Sequence, residues 1–143
     1  MKADLQYAKT LLLGGSYTCV LCRDGQTICH RERGVLPLLE HVRAEETMSG
    51  FVAADRVVGK AAAFLYVLLG VDAVYACVMS RAALAVFEKH GIAASYDTLT
   101  EKIRNRAGDG YCPMEEAVWE IEQPEAARCA IEMRLAELVA RQG

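Results

Sequence analysis

The chain reads as a single α/β domain whose sheet opens with an antiparallel hairpin and continues with parallel strands. Three observations predict this. Two strand-like runs meet at Asp24-Gly25, the dipeptide suited to a type I′ turn. Beyond them, short apolar runs alternate with helical patterns as strand, helix, strand, helix, strand, which implies parallel β-α-β crossovers. At 143 residues, 53% hydrophobic and 24% charged, the chain has the size and composition of one folded domain with a sizeable core.

The first helix is expected from Asp4 to Leu13, where Leu5, Ala8 and Leu12 recur on one face and Gly14-Gly15 ends the pattern. The hairpin spans Tyr17 to Arg31, and a two-residue turn pairs Leu21 with Ile28 and Cys19 with His30. Pro37 opens a short helix through Leu38, Leu39 and Val42, with His41 on its surface, and Glu45 to Gly50 forms a polar connection. Phe51-Val-Ala-Ala54 is too short for an amphipathic helix and fits a central buried strand. Asp55 is then placed to cap a helix that runs to Leu69 and stops at Gly70.

Ala73 to Met79 is another buried strand, and Ser80 caps a helix through Leu84 and Phe87 that ends at His90-Gly91. Ile92 to Tyr96 gives a further strand, after which Thr98 or Thr100 is expected to start a helix toward Asn105. The domain core is expected over about residues 5–122, followed by a last helix over about 124–142 that begins at Pro124. Ala127, Ile131, Leu135, Leu138 and Val139 form its apolar stripe, with Arg128–Glu132 and Glu137–Arg141 paired on the other face. That stripe is expected on the sheet or on a partner subunit, the second case giving a homo-oligomer.

Composition excludes several classes of function. A net charge of -3 with no basic stretch interleaved with aromatics argues against nucleic-acid binding. Asp4 interrupts the position where a secretory signal needs an apolar core. The nearly apolar stretch from Ala61 to Met79 approaches a membrane span in length, but Gly70-Val71-Asp72 breaks it into a helix and a strand. Six cysteines without an export signal are expected as reduced thiols in the cytoplasm. Cys19 and Cys22 form a C-x-x-C within a strand, where residues three apart face opposite ways, so no metal or cofactor is expected there.

Two motifs carry the candidate chemistry. In Asp55-Arg-Val-Val-Gly-Lys60, Asp55 lies at the carboxyl end of a central strand, where open α/β sheets place ligands, and a helix cap explains it equally well. Lys60 is the only charge between Val57 and Leu69 and sits near the positive end of a helix dipole, which calls for a compensating anion unless the side chain reaches solvent. In the second motif, the amides of Gly108-Asp-Gly110 suit an anion nest, preceded by Asn105 and by Arg106, a candidate bidentate anion contact. Cys112-Pro113 then opens a helix with Glu115 and Glu116 in its first turn. A thiol at that position is the best nucleophile candidate of the six, against the simpler reading of a structural thiol.

Ala54-Asp-Arg-Val-Val-Gly-Lys-Ala-Ala62, Ser80 with Ala83-Leu84, Asn105-Arg106 and Gly110-Tyr-Cys-Pro-Met-Glu115 together resemble an uncharacterised prokaryotic family, domain of unknown function 1893. The likeness runs from the hairpin to about Glu122; the family pattern has threonine where this chain has Asp109. The resemblance implies a cytidine-deaminase-like fold, a three-layer α-β-α sandwich around a mixed sheet. Zinc deaminases start one helix with His-x-Glu and the next with Pro-Cys-x-x-Cys. The helix starts expected to correspond, Asp55-Arg56-Val57 and Ser80-Arg81-Ala82-Ala83, lack those ligands, so zinc-dependent deamination is not expected.

The resulting expectation is a metal-independent pocket for a small anionic or nucleotide-like ligand. Asp55, Lys60 and Cys112 are the catalytic candidates, and Gly59, Ser80, Asn105, Arg106, Gly108, Gly110 and Glu115 the binding candidates. The rival reading is a non-catalytic regulatory or assembly module in which these residues stabilise strand–helix turns.

Overall fold

In the computed structural model, which describes residues 2–105 and 107–142, the Asp24-Gly25 turn forms as the sequence predicts. Both residues adopt left-handed backbone (φ 48° and 83°), as a type I′ turn requires. The turn joins β1 (Cys19–Arg23) to β2 (Gln26–His30), with Cys19 opposite His30 and Leu21 opposite Ile28. β3 (Val52–Val58), β4 (Ala73–Ser80) and β5 (Ala93–Thr100) complete a sheet of order β2-β1-β3-β4-β5. β1 runs antiparallel to both neighbours, and β3, β4 and β5 are mutually parallel.

Among the described residues six helices flank the sheet or pack on its helical layer: α1 (Lys2–Gly14), α2 (Leu36–Arg43), α3 (Lys60–Leu69), α4 (Arg81–Lys89), α5 (Pro113–Val118) and α6 (Pro124–Gln142). Because strand side chains alternate, neighbouring residues feed two separate cores. Val20, Cys22, Val52, Ala54 and Tyr75 pack against Ala8 and Leu12 of α1. Cys19, Leu21, Ala53, Val74 and Ala76 face the opposite layer, led by Phe64 and Leu65 of α3 and Phe87 of α4. Two crossovers of the same hand put α3 and α4 on one face. The outcome is a three-layer α-β-α protein, and Cys19 and Cys22 lie in different cores.

The structure departs from the sequence-based expectations at four places. The strand expected over Phe51–Ala54 continues to Val58, because Val57 and Val58 pair with Val78 and Met79 of β4. Asp55 is therefore a mid-strand residue and caps no helix; α3 starts five residues later, with Gly59 as its N-cap. Thr98 to Thr100 likewise extend β5 beside Val78 to Ser80 and start no helix, as β-branched residues favour.

Third, α6 packs on α3 and α5 rather than on the sheet, burying Ala127 and Ile131, and Glu132 is bound by Arg43 of α2. Fourth, His41 is no free surface residue, since its ring packs edge-on against His30. Among the described residues no helix is long and apolar enough to cross a membrane. The apolar stretch from Ala61 to Met79 divides between α3 and β4 at Gly70, which caps α3 in the left-handed conformation (φ 77°).

Candidate functional site

The N-terminus of α3 is closed from a distance. Its N-cap, Gly59, has no side chain to offer the free amides of the first turn. The Glu115 carboxylate, from the first turn of α5, accepts from the Lys60 amide at 2.7 Å and the Ala61 amide at 2.9 Å. Glu115 is buried, and burial pushes its pKa up against the two amides and the Lys60 charge that pull it down. The carboxylate presses on the Gly59 Cα so closely that a Cβ there would overlap it.

Lys60 occupies the first position of α3, where the dipole disfavours a cation. Its ammonium is directed away to the end of α5, donating to the Trp119 carbonyl at 2.9 Å with Glu122 at 3.6 Å. A cation is favoured at that carboxyl-terminal end, which resolves the conflict posed by the sequence. Glu115 and Lys60 thus cross between α3 and α5, each satisfying the other helix's terminus.

On the cavity side of Glu115, Asp55 projects from β3 toward the α3 layer. Tyr66 of α3 donates to its Oδ2 at 2.6 Å, and the Cys19 sulfur lies 3.2 Å from the same hydroxyl. With the tyrosine proton committed to Asp55, the Cys19 thiol donates in turn. Burial raises the Asp55 pKa to about 6, opposed by Tyr66 and by the Val57 and Arg56 amides. The Cys19 thiol and the Tyr66 phenol are both pushed up, first by burial and next by the Asp55 charge.

Asp55 and Cys19 line a cavity of about 410 Å³ together with Gly59, Cys112 and Glu115. Val35, Pro37, Leu38, Val57, Ile103 and Met114 supply apolar wall, and the exposed Arg33, Arg104 and Glu32 supply charge. Cys112 is the N-cap of α5, half-buried, and its side chain makes no capping bond. Arg56 also borders the cavity, but its guanidinium is fixed by the Leu12, Gly15 and Tyr17 carbonyls at the end of α1.

A second cavity of about 260 Å³ holds Lys60 and Ser80, with Glu101, Lys102 and Trp119. Ser80 caps α4, its Oγ accepting from the Ala83 amide at 3.1 Å as the sequence predicts. The structure therefore divides the predicted site: Asp55, Gly59 and Cys112 border the first cavity, Lys60 and Ser80 the second, and Glu115 both.

In the loop expected to form an anion nest, Asn105 takes up one of the three amides. Asn105 Oδ1 accepts from the Gly108 amide at 2.8 Å, and Asn105 Nδ2 donates to Asp109 at 3.0 Å. The Gly108 amide is thereby committed to Asn105, and the Gly110 carbonyl accepts from the Asn105 amide. Arg106 lies outside the described residues. Sequence reasoning missed Cys19 and Tyr66 as partners of Asp55. A tyrosine six residues beyond the helix start, in an otherwise apolar run, was the available signal.

Fold and site together define a three-layer α/β protein with a cavity where a central parallel strand turns into its crossover helix. The profile of the family described as domain of unknown function (DUF1893) matches residues 7–135, and the chain belongs to that family. The crystal structure of a DUF1893 family protein (TM1506) from Thermotoga maritima, at 2.70 Å resolution, is similar with a TM-score of 0.84 and 25% identity. The match covers 96% of this chain and 91% of that chain. No curated protein matches the chain.

Proposed function

We propose that the protein binds a small anionic, nucleotide-like molecule in the larger cavity, without a metal ion there. The observation that carries this reading is the enclosed Asp55 carboxyl, bonded to Tyr66 and lining an apolar cavity that also holds Cys112, where burial raises its pKa to about 6. A carboxyl poised near neutral pH can donate or accept a hydrogen bond, which suits the polar edge of a heteroaromatic ring. Apolar walls suit its faces, and Arg33 and Arg104 suit an attached anionic group.

If a reaction follows binding, Cys112 acts as nucleophile and Asp55 as general base or orienting group. Lys60, Ser80, Gly59 and Glu115 are assigned to holding the helix ends in place. The strand order, with a ligand site at the α3 start, supports a cytidine-deaminase-like fold. The residues at the two helix starts, Gly59-Lys60-Ala61 and Ser80-Arg81-Ala82-Ala83, support no zinc deaminase chemistry. Six unpaired cysteines support a reducing, cytoplasmic setting.

A thermal-shift comparison of nucleosides, nucleoside monophosphates and inorganic phosphate tests the proposal. At a hundredfold excess over Kd a cavity ligand stabilises by about 2.7 kcal/mol, on the order of 10 °C in Tm. The expected pattern is a shift with a monophosphate that is reduced in both Asp55→Asn and Arg104→Ala. An equal shift in wild type and both variants, or none with any compound, overturns it.

A further inference from the structure

We propose that the free edge of β5, with the flank of α4 beside it, is a self-complementary interface through which two copies of this chain pair about a two-fold axis. β5 ends the sheet: it pairs with β4, and among the described residues no strand takes its other side. Half of its backbone amides and carbonyls therefore point outward without ladder partners.

That edge carries none of the features that keep exposed strands apart. Ala93-Ala-Ser-Tyr-Asp-Thr-Leu-Thr100 holds no lysine, proline or glycine, and its register on β4 runs from Ala73–Ala93 to Ser80–Thr100 without a bulge. Its one charge, Asp97, is drawn back over β4 by the Tyr75 hydroxyl at 2.5 Å. The opposite edge of the sheet differs: β2 has only five residues and runs straight into Arg31-Glu32-Arg33. A regular strand of eight residues left open in this way is a template for another chain.

The side chains around the edge decide which chain it is. Ala94 packs into the α3 layer, so Tyr96, two residues on, shares that face, and it is 39% exposed. Arg81, Leu84 and Glu88, spaced i, i+3 and i+7, form one flank of α4. Arg81 Nε donates to Glu101, just beyond β5, at 2.6 Å, which turns that flank toward the edge. Ala82 turns the other way, to the cavity of Lys60 and Trp119. Arg81 and Glu88 are exposed with Leu84 half-buried between them, and the terminal nitrogens of Arg81 make no bond among the described residues.

A flank that runs cation, apolar residue, anion is complementary to itself turned end for end. A two-fold axis normal to the sheet sets β5 antiparallel to its copy and α4 antiparallel to its copy at once. Arg81 then meets the partner's Glu88, twice over by symmetry, and the Leu84 and Tyr96 side chains of both copies are enclosed between these pairs. A foreign peptide laid on the edge satisfies the backbone but leaves the charges of α4 unmatched, so the second copy is the occupant. This interface is independent of what the larger cavity binds.

Sedimentation equilibrium of the full chain, over a concentration series up to about 100 μM, tests the proposal together with amide hydrogen exchange. The expected result is a dimer in which the amides of residues 93–100 exchange more slowly as concentration rises. Tyr96→Lys, Arg81→Glu and Glu88→Arg should each weaken the dimer by about tenfold or more. All three positions are exposed, and circular dichroism should show the fold unchanged. Combining Arg81→Glu with Glu88→Arg restores the charge match and should return Kd to within about threefold of wild type. A chain that stays monomeric at about 100 μM overturns the proposal. So does a dimer that the three single variants leave intact, or a double variant that pairs as weakly as the single reversals.

Discussion

The carboxyl group of Glu115 fills the space in which a Cβ on Gly59 would lie. The glycine is required by this contact and not by its torsions, since its backbone is extended at φ -101°. Gly59→Ala must therefore displace Glu115 and uncap α3. Loss of a helix cap costs about 1 kcal/mol, and forcing a methyl into packed space about 1–3 kcal/mol more. Urea denaturation should show a loss of about 2–4 kcal/mol through a lower midpoint at unchanged slope. Because Glu115→Ala removes the obstacle, the double variant should be no less stable than Glu115→Ala alone. Additive losses would mean that the clash lies elsewhere.

Asp55 gives stability a specific dependence on pH. Its folded-state pKa is about 6 against an ordinary 3.8, so folding favours the neutral acid. The stability this contributes is fully present below the unfolded value and is lost as pH rises through about 6. A shift of about two units corresponds to about 3 kcal/mol. Wild type should lose stability from pH 4 to pH 8 relative to Asp55→Asn, and the variant should be the more stable protein at pH 8. Glu115 is shifted in the same direction in both proteins and cancels from the difference. Parallel stability curves would refute an enclosed Asp55.

The layers were legible in the sequence because they rest on local rules. Asp24-Gly25 set the hairpin register, and Gly70 and Ser80 marked a helix end and a helix start. The start of α3 was not legible, since an aspartate at the end of an apolar run satisfies capping rules equally well as a strand residue. What moved the boundary was pairing of Val57 and Val58 with a strand some twenty residues away, together with a cap supplied by Glu115. The site was legible in its membership more than in its roles. Lys60 stood out as a lone charge, but its partner, the Trp119 carbonyl, is a backbone atom that side-chain patterns cannot announce.

That partner makes the Lys60 prediction definite. Lys60→Met leaves the Trp119 carbonyl without its donor and places a methionine in a buried position. A hydrogen bond from a charged group contributes about 1.5–3 kcal/mol, so a loss of that order is expected in chemical denaturation. Glu122 is 68% exposed, and Glu122→Gln should lie within about 0.5 kcal/mol of wild type. Equal losses in the two variants would place the stabilisation in the ion pair and not in the helix end.

Thiol reactivity separates the cavity from the rest of the molecule. Cys29 and Cys129 are exposed, Cys77 and Cys112 are half-buried, and Cys19 and Cys22 are buried. Access governs the rate at which a neutral reagent reaches each sulfur. Mass spectrometry of a timed alkylation should show Cys29 and Cys129 labelled first, Cys77 and Cys112 later, and Cys19 and Cys22 only on unfolding. Cys112 and Cys77 lie on different parts of the molecule, and of the two only Cys112 borders the larger cavity. A nucleoside monophosphate that raises Tm should therefore slow labelling of Cys112 while leaving Cys77 and Cys129 unchanged. Protection of all three, or of none, would place the ligand outside the cavity that holds Asp55.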